Sequence, residues 1–127
     1  MTTTAVRLRL VNGPDAVGVA RRGLDSLADE VESGTLNDMR LLVSELVTNS
    51  VRHARTCDRD ELELEVSFSS ELIHVCVTDH GPGFEASPRT AEDDPGSGWG
   101  LFLVEQLADR WGVSLNGRTQ VWFEIER

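Results

Sequence analysis

The spacing of the apolar residues changes repeatedly along this chain of 127 residues, and no other feature of the sequence constrains the fold as strongly. Alternation of apolar and polar residues is typical of half-buried strands. It occurs at residues 6–10, 62–68 and 119–125. Apolar steps of three and four are typical of amphipathic helices. They occur at residues 16–31, 35–54 and 101–111. The chain therefore needs a fold that combines a sheet with helices.

The order of these elements indicates the architecture. One strand is followed by two helices, a hairpin, a long glycine-rich loop at residues 81–98, a third helix and a closing hairpin. Residues 72–78 are the most uniformly apolar strand and are expected at the centre of the sheet. We predict one α+β domain over residues 1–127, a two-layer sandwich whose mixed, mostly antiparallel sheet is covered on one face by helices. Strands and helices do not alternate regularly, so a doubly wound fold is excluded.

Local signals predict the helix boundaries. The apolar stripe of the first helix continues to Val31. Thr35 and Asp38 have the spacing of a capping box and are expected to open the second helix. The third helix is expected to end near Trp111-Gly112.

Composition excludes several function classes. The basic residues are all arginines, twelve in number, and the formal net charge is −10. Such a charge disfavours binding to nucleic acids and to anionic membrane surfaces. No apolar run approaches the roughly 18 residues of a membrane span, and the two cysteines lack metal-ligand spacing. The sequence therefore predicts a soluble cytoplasmic protein that binds neither nucleic acid nor membrane.

A first polar cluster lies on the second predicted helix. Glu45, Asn49 and Arg52 are separated by four and three residues, which places them on one stripe beside the apolar face. A carboxylate one turn from an amide oxygen suits a hydrated Mg²⁺, which takes few protein ligands. Glu45 is alternatively a general base, and an ordinary solvated helix face also explains the cluster.

A second cluster follows the central strand. Asp79 at the strand's carboxyl end is placed to accept a hydrogen bond from the exocyclic amine of a ligand. Gly81 and Gly83 allow backbone to approach a flat ring closely. A plain turn is the alternative, because Asp, Gly and Pro are all turn formers.

A third cluster precedes the third helix. Gly96, Gly98 and Gly100 expose backbone N–H groups near a helix N-terminus, where the helix dipole adds positive potential. Oriented amides of this kind can bind polyphosphate in a chain without lysine. A flexible connection explains the glycines equally well.

Together the three clusters resemble the motifs of the GHKL ATPase superfamily, the Bergerat-type, histidine-kinase-like ATPases. Residues 45–54 resemble its N-box, residues 79–84 its first glycine box and residues 96–101 its second. The motifs stand in the family's order, and the resemblance spans residues 6–126. Within the superfamily, residues 101–113 and 121–124 are most similar to bacterial anti-sigma-factor serine kinases.

The resemblance implies a bound ATP and a role for each matching residue. Asn49 would ligate Mg²⁺, Glu45 would orient or deprotonate the attacking hydroxyl, and Asp79 would bind the adenine amine. Thr119 has the same parity as the apolar residues of its strand, so it is expected to face inward toward the adenine end. The residues implied to contact the nucleotide are Asn49, Arg52, Asp79, Gly81, Gly83, Gly96, Gly98, Gly100, Leu101 and Thr119.

The resemblance also implies the function. An anti-sigma regulatory factor of this kind binds a sigma factor and phosphorylates a serine or threonine of an anti-anti-sigma (STAS-type) protein, regulating transcription by partner switching. A non-catalytic, nucleotide-gated binding module and a histidine-kinase-type catalytic domain are the alternatives. Dimers are common in the resembled branch, so a homodimer is an alternative to a monomer.

Overall fold

A computed structural model describes residues 2–11, 13–53, 61–79, 99–115 and 119–127 of the chain. Its helices are α1 (Ala16–Leu24), α2 (Ser33–His53) and α3 (Trp99–Leu107). Its strands are β1 (Thr3–Val11), β2 (Glu61–Phe68), β3 (Leu72–Asp79), β4 (Arg110–Leu115) and β5 (Thr119–Glu126). None of the described helices combines the length and the apolar character needed to cross a membrane.

The five described strands form one sheet in the order β1-β2-β3-β5-β4. Each neighbouring pair is antiparallel, so the described sheet is antiparallel rather than mixed. β3 lies at the centre, as its uniform apolar character predicts. The predicted closing hairpin corresponds to β4 and β5, which pair from Leu115–Thr119 to Arg110–Glu124.

The core lies between one face of the sheet and the helices. Residues of one parity on each strand point into it, and α2 supplies the largest helical contribution. The buried apolar residues of β3 and β5 are Ile73, Val75, Val77, Val121, Phe123 and Ile125. The buried residues of α2 are Leu36, Met39, Leu42, Val43, Leu46, Val47 and Ser50. The predicted two-layer α+β sandwich is thereby confirmed.

The first two helices differ from the predicted boundaries. α1 ends at Leu24, and a 3₁₀ turn at residues 25–27 follows it. Leu27 and Val31 are nevertheless buried, so the apolar spacing reflects burial by a tight turn rather than a continued helix. α2 begins at Ser33, and the Leu36 N–H already donates to the Glu32 carbonyl at 2.9 Å. The capping box predicted at Thr35 is therefore wrong, because Thr35 lies inside the first turn.

The third helix ends earlier than predicted because the residues after it form hydrogen bonds with β5. The Asp109 N–H donates to the Glu124 carbonyl at 2.9 Å, and the Asp109 carboxylate accepts the Glu126 N–H at 2.7 Å. α3 consequently ends at residue 107, and Trp111-Gly112 belongs to β4. Gly112 has a packing role, since a Cβ there would lie 2.7 Å from Cζ2 of Trp122.

Candidate functional site

The candidate site lies at the end of the sheet where β3 ends and β5 begins. Asp79, the last residue of β3, pairs directly with Thr119, the first residue of β5. On its other side Asp79 pairs with Leu62, near the start of β2. The register therefore places an acid and a hydroxyl on adjacent central strands at one edge of the core.

Asp79 and Thr119 are both buried, with exposed fractions of 4% and 1%. Residues directly opposite each other in an antiparallel pair have Cβ atoms about 4.5–5.5 Å apart. Thr119 points inward, as its parity predicts. Within the residues that the structure describes, its Oγ1 has no hydrogen-bond partner. A buried hydroxyl without a partner costs about 1–3 kcal/mol, and a polar ligand at this position would remove that cost.

α2 carries the first polar cluster, and its length can be compared with that of β5. Arg127, just beyond β5, donates to the Glu30 carbonyl at 3.2 Å, so α2 starts beside the opposite end of β5. The 21 residues of α2 span about 30 Å at 1.5 Å each, while the eight residues of β5 span about 26 Å. α2 is therefore long enough to reach from the Arg127 end of β5 to its Thr119 end.

Glu45 and Asn49 are half-buried and one turn apart on α2. The spacing of four residues puts them on one stripe, as the sequence predicts. Arg52 lies in the last turn of the same helix. The helix thus carries a carboxylate and an amide, both partly accessible, on one stripe.

The third cluster is described only in part. Gly100 and Leu101 belong to the first turn of α3, which begins at Trp99. Backbone N–H groups in the first turn of a helix lack partners within the helix. Asp109, two residues beyond the end of α3, is held against the end of β5 by the hydrogen bond from the Glu126 N–H. Gly81, Gly83, Gly96 and Gly98 lie outside the described residues.

The opposite face of the sheet carries an ionic cluster that is separate from this site. Glu124 accepts hydrogen bonds from Arg110 Nε at 2.9 Å and interacts with His74 Nδ1 at 3.0 Å. The hydrogen bond from Arg110 is the main reason why the pKa of the Glu124 carboxyl lies below its usual value, and the contact with His74 adds to it. His74 also stacks on Trp122, with ring centroids 5.6 Å apart. These side chains stabilise the sheet and face away from the core.

One exposed residue near the site was not predicted from the sequence. Leu41 is 42% exposed on the outer surface of α2, although its neighbours Leu42 and Val43 are buried. It stands four residues before Glu45. Leu41 does not share the spacing of the apolar residues that face the core. This difference in spacing is the sequence signal from which its exposure could have been predicted.

Comparison with known proteins agrees with this fold. A model of the histidine kinase-like ATPase domain matches residues 10–125. The chain belongs to this family. The resemblance to the GHKL ATPases is thereby confirmed, and ATP is the nucleotide that a domain of this ATPase family binds.

Curated relatives of this ATPase domain are named as serine-protein kinases. The protein "Serine-protein kinase RsbW" of Listeria innocua is 30% identical over 118 aligned positions, covering 82% of this chain and 75% of the relative. The protein of the same name from Oceanobacillus iheyensis is 29% identical and covers 96% of this chain and 85% of the relative. The one from Bacillus licheniformis is 28% identical, with 85% and 76% covered.

A solved structure shares the fold. The histidine kinase domain of the blue-light activated histidine kinase EL346 from Erythrobacter litoralis superposes with a TM-score of 0.58 at 26% identity. The match covers 87% of this chain but only 58% of the solved chain. The chain therefore spans little more than half the length of that histidine kinase structure.

Proposed function

We propose that this chain is an ATP-dependent serine/threonine protein kinase that acts as an anti-sigma regulatory factor. The buried pair of Asp79 and Thr119 carries the proposal, because it offers an acceptor and a hydroxyl that has no partner among the described residues. The similarity to serine-protein kinases over most of the chain supports phosphoryl transfer to a protein. Family membership supports ATP as the donor.

The family resemblance supports the following roles for the polar residues. Asp79 accepts a hydrogen bond from the adenine amine, and Thr119 supplies a second polar contact beside it. Both groups are buried, so the contacts are made in a water-poor environment where polar complementarity strongly affects affinity. Backbone amides of the two glycine boxes, at residues 81–83 and 96–100, and of Leu101 bind the phosphates of ATP. Arg52 adds a positive charge beside these phosphates.

Asn49 is the proposed protein ligand of Mg²⁺. Asn49 is half-buried, and its amide oxygen is a hard metal ligand one turn from Glu45. Mg²⁺ in phosphoryl-transfer sites is held by few protein groups together with the phosphates. When bound, the ion neutralises phosphate charge. Glu45 then has the role of orienting or deprotonating the hydroxyl of the incoming substrate.

The proposed substrate is a serine or threonine of an anti-anti-sigma (STAS-type) protein, and the second partner is a sigma factor. Phosphorylation of the first partner would release it and leave the chain free to hold the second. Both partners act on transcription, so the proposed compartment is the cytoplasm. We propose that residues 1–127 form a single domain.

Phosphoryl transfer tests the proposal directly. Incubation with labelled ATP, Mg²⁺ and the STAS-type proteins of the same organism should yield one acid-stable phosphoprotein. Glu45→Gln should reduce the transfer rate at least about 100-fold and retain ATP affinity. Glu105→Gln is the matched control, because Glu105 is an exposed glutamate on α3. ATP binding by the wild type without any phosphoprotein would instead indicate a nucleotide-gated binding module.

A histidine-kinase-type catalytic domain is a second candidate, favoured by the structural likeness to a histidine kinase domain. Its product would carry phosphate on a histidine. Phosphohistidine is acid-labile whereas phosphoserine is acid-stable, so acid treatment of the labelled product distinguishes the two candidates.

A further inference from the structure

The outer surface of α2 carries an uncharged strip next to the proposed base. Leu41 is 42% exposed, and it precedes Glu45 by one helical turn. Side chains four residues apart on a helix have Cβ atoms about 6 Å apart. The largest exposed apolar group on this helix is therefore a direct neighbour of the carboxylate that is proposed to meet the substrate hydroxyl.

Two hydroxyl residues extend the strip toward the end of the helix. Ser44 Oγ donates to the Arg40 carbonyl at 2.6 Å, and Thr48 Oγ1 donates to the Ser44 carbonyl at 2.7 Å. Both hydroxyl protons are therefore bound by the backbone of α2 itself. Leu41, Ser44 and Thr48, here called the outer strip, thus offer neither a charge nor a hydroxyl proton to a partner, in a chain of net charge −10.

We propose that the outer strip binds the segment of the protein substrate that carries the phosphoacceptor hydroxyl. The inference rests on the proposed kinase function and adds a specificity determinant to it. An extended polypeptide advances about 3.3 Å per residue, so two residues span about 6.6 Å. This span is close to the spacing between Glu45 and Leu41. A substrate segment that runs along α2 with its serine at Glu45 therefore places the residue two positions away over Leu41. That residue of the substrate carries an apolar side chain.

The size and position of the outer strip favour this occupant over a second copy of the chain. A stable interface buries about 800 Å² on each partner, far more than three side chains expose. A short substrate segment needs only a local contact, and the strip continues directly into the stripe of Glu45 and Asn49.

The test compares Leu41→Gln with the wild type in transfer of labelled phosphate to the STAS-type protein that the wild type phosphorylates. Gln is a good helix former, and Leu41 faces solvent, so the variant should fold. Loss of the apolar contact should raise the KM for the protein substrate about tenfold, with kcat and the KM for ATP unchanged. Leu107→Gln is the matched control, since Leu107 is 36% exposed at the far end of α3.

The outcomes separate this inference from the proposed function. A wild type that phosphorylates no protein would overturn both. A wild type that transfers phosphate while Leu41→Gln keeps a normal KM would overturn the docking surface alone. A lower KM for Leu41→Arg would also overturn it, because docking would then depend on charge rather than on apolar contact.

Discussion

Replacing Thr119 with valine should change folding stability and ATP affinity in opposite directions. The Thr119 hydroxyl is buried, and among the described residues it has no hydrogen-bond partner. An unpaired buried hydroxyl costs about 1–3 kcal/mol. Valine has nearly the same shape and removes that cost. The ligand-free protein should therefore gain about 1 kcal/mol in its free energy of unfolding, which corresponds to a rise in Tm of roughly 3–5 °C at this size.

The same substitution removes a polar contact from the bound nucleotide. A hydrogen bond of this kind contributes about 1 kcal/mol, so the Kd for ATP should rise about fivefold. Urea unfolding without nucleotide and calorimetric titration with Mg²⁺ and ATP measure the two effects separately. The expected result is a more stable protein that binds ATP more weakly.

Thr78→Val is the matched control. Thr78 is also buried, at 6% exposed, but its Oγ1 accepts a hydrogen bond from Gln120 Nε2 at 3.3 Å. Its removal should lower the free energy of unfolding and leave the Kd for ATP unchanged. The reasoning would be refuted if Thr119→Val destabilised the ligand-free protein to the same extent, or if it left ATP affinity unaltered.

Two further predictions concern the scaffold. Gly112→Ala should lower the free energy of unfolding by about 1–3 kcal/mol, because its Cβ would lie 2.7 Å from Cζ2 of the rigid Trp122 ring. Gly34→Ala in the open first turn of α2 should raise the free energy of unfolding by roughly 0.5–1 kcal/mol. Urea midpoints measure both variants, and equal effects would contradict the packing argument. The pKa of the Glu124 carboxyl is lower in the folded protein than its ordinary value of about 4.5, mainly because of the hydrogen bond from Arg110. The ionised carboxylate therefore stabilises the protein at pH values above about 4.5. That stability is lost as the pH falls through the folded pKa. Arg110→Gln should weaken the dependence of the free energy of unfolding on pH in this acidic range. Urea unfolding at several pH values measures it, and an unchanged dependence would contradict the prediction.

Most of the fold follows from local patterns. Alternation in β5 correctly predicts that Thr119 faces the core, and the uniform apolar character of β3 correctly predicts its central place. The errors arise where tertiary contacts override local spacing. Two hydrogen bonds between Asp109 and β5 end α3 early. Nothing near Asp109 in the sequence indicates its partners, which lie 15 and 17 residues away.

The sequence allows the individual residues of the candidate site to be predicted. It does not allow their spatial arrangement to be predicted. Asp79 and Thr119 meet because β3 pairs with β5 in one register, and strand register depends on the whole buried face rather than on either residue. The exposure of Leu41 likewise depends on which side of α2 faces the sheet. Roles for Glu45, Asn49 and the glycine boxes come from the family resemblance and stay predictions.

The central claim is that Asp79 recognises the amine of an adenine bound at the end of β3. Calorimetric titration of the wild type and of Asp79→Asn with ATP and with inosine triphosphate tests it most directly, because inosine replaces that amine with a carbonyl oxygen. The wild type should bind ATP at least about tenfold more tightly than inosine triphosphate, a difference of about 1.4 kcal/mol. Asp79→Asn should lose most of this preference. Equal affinity of the wild type for both nucleotides, or an unchanged preference in Asp79→Asn, would contradict the claim.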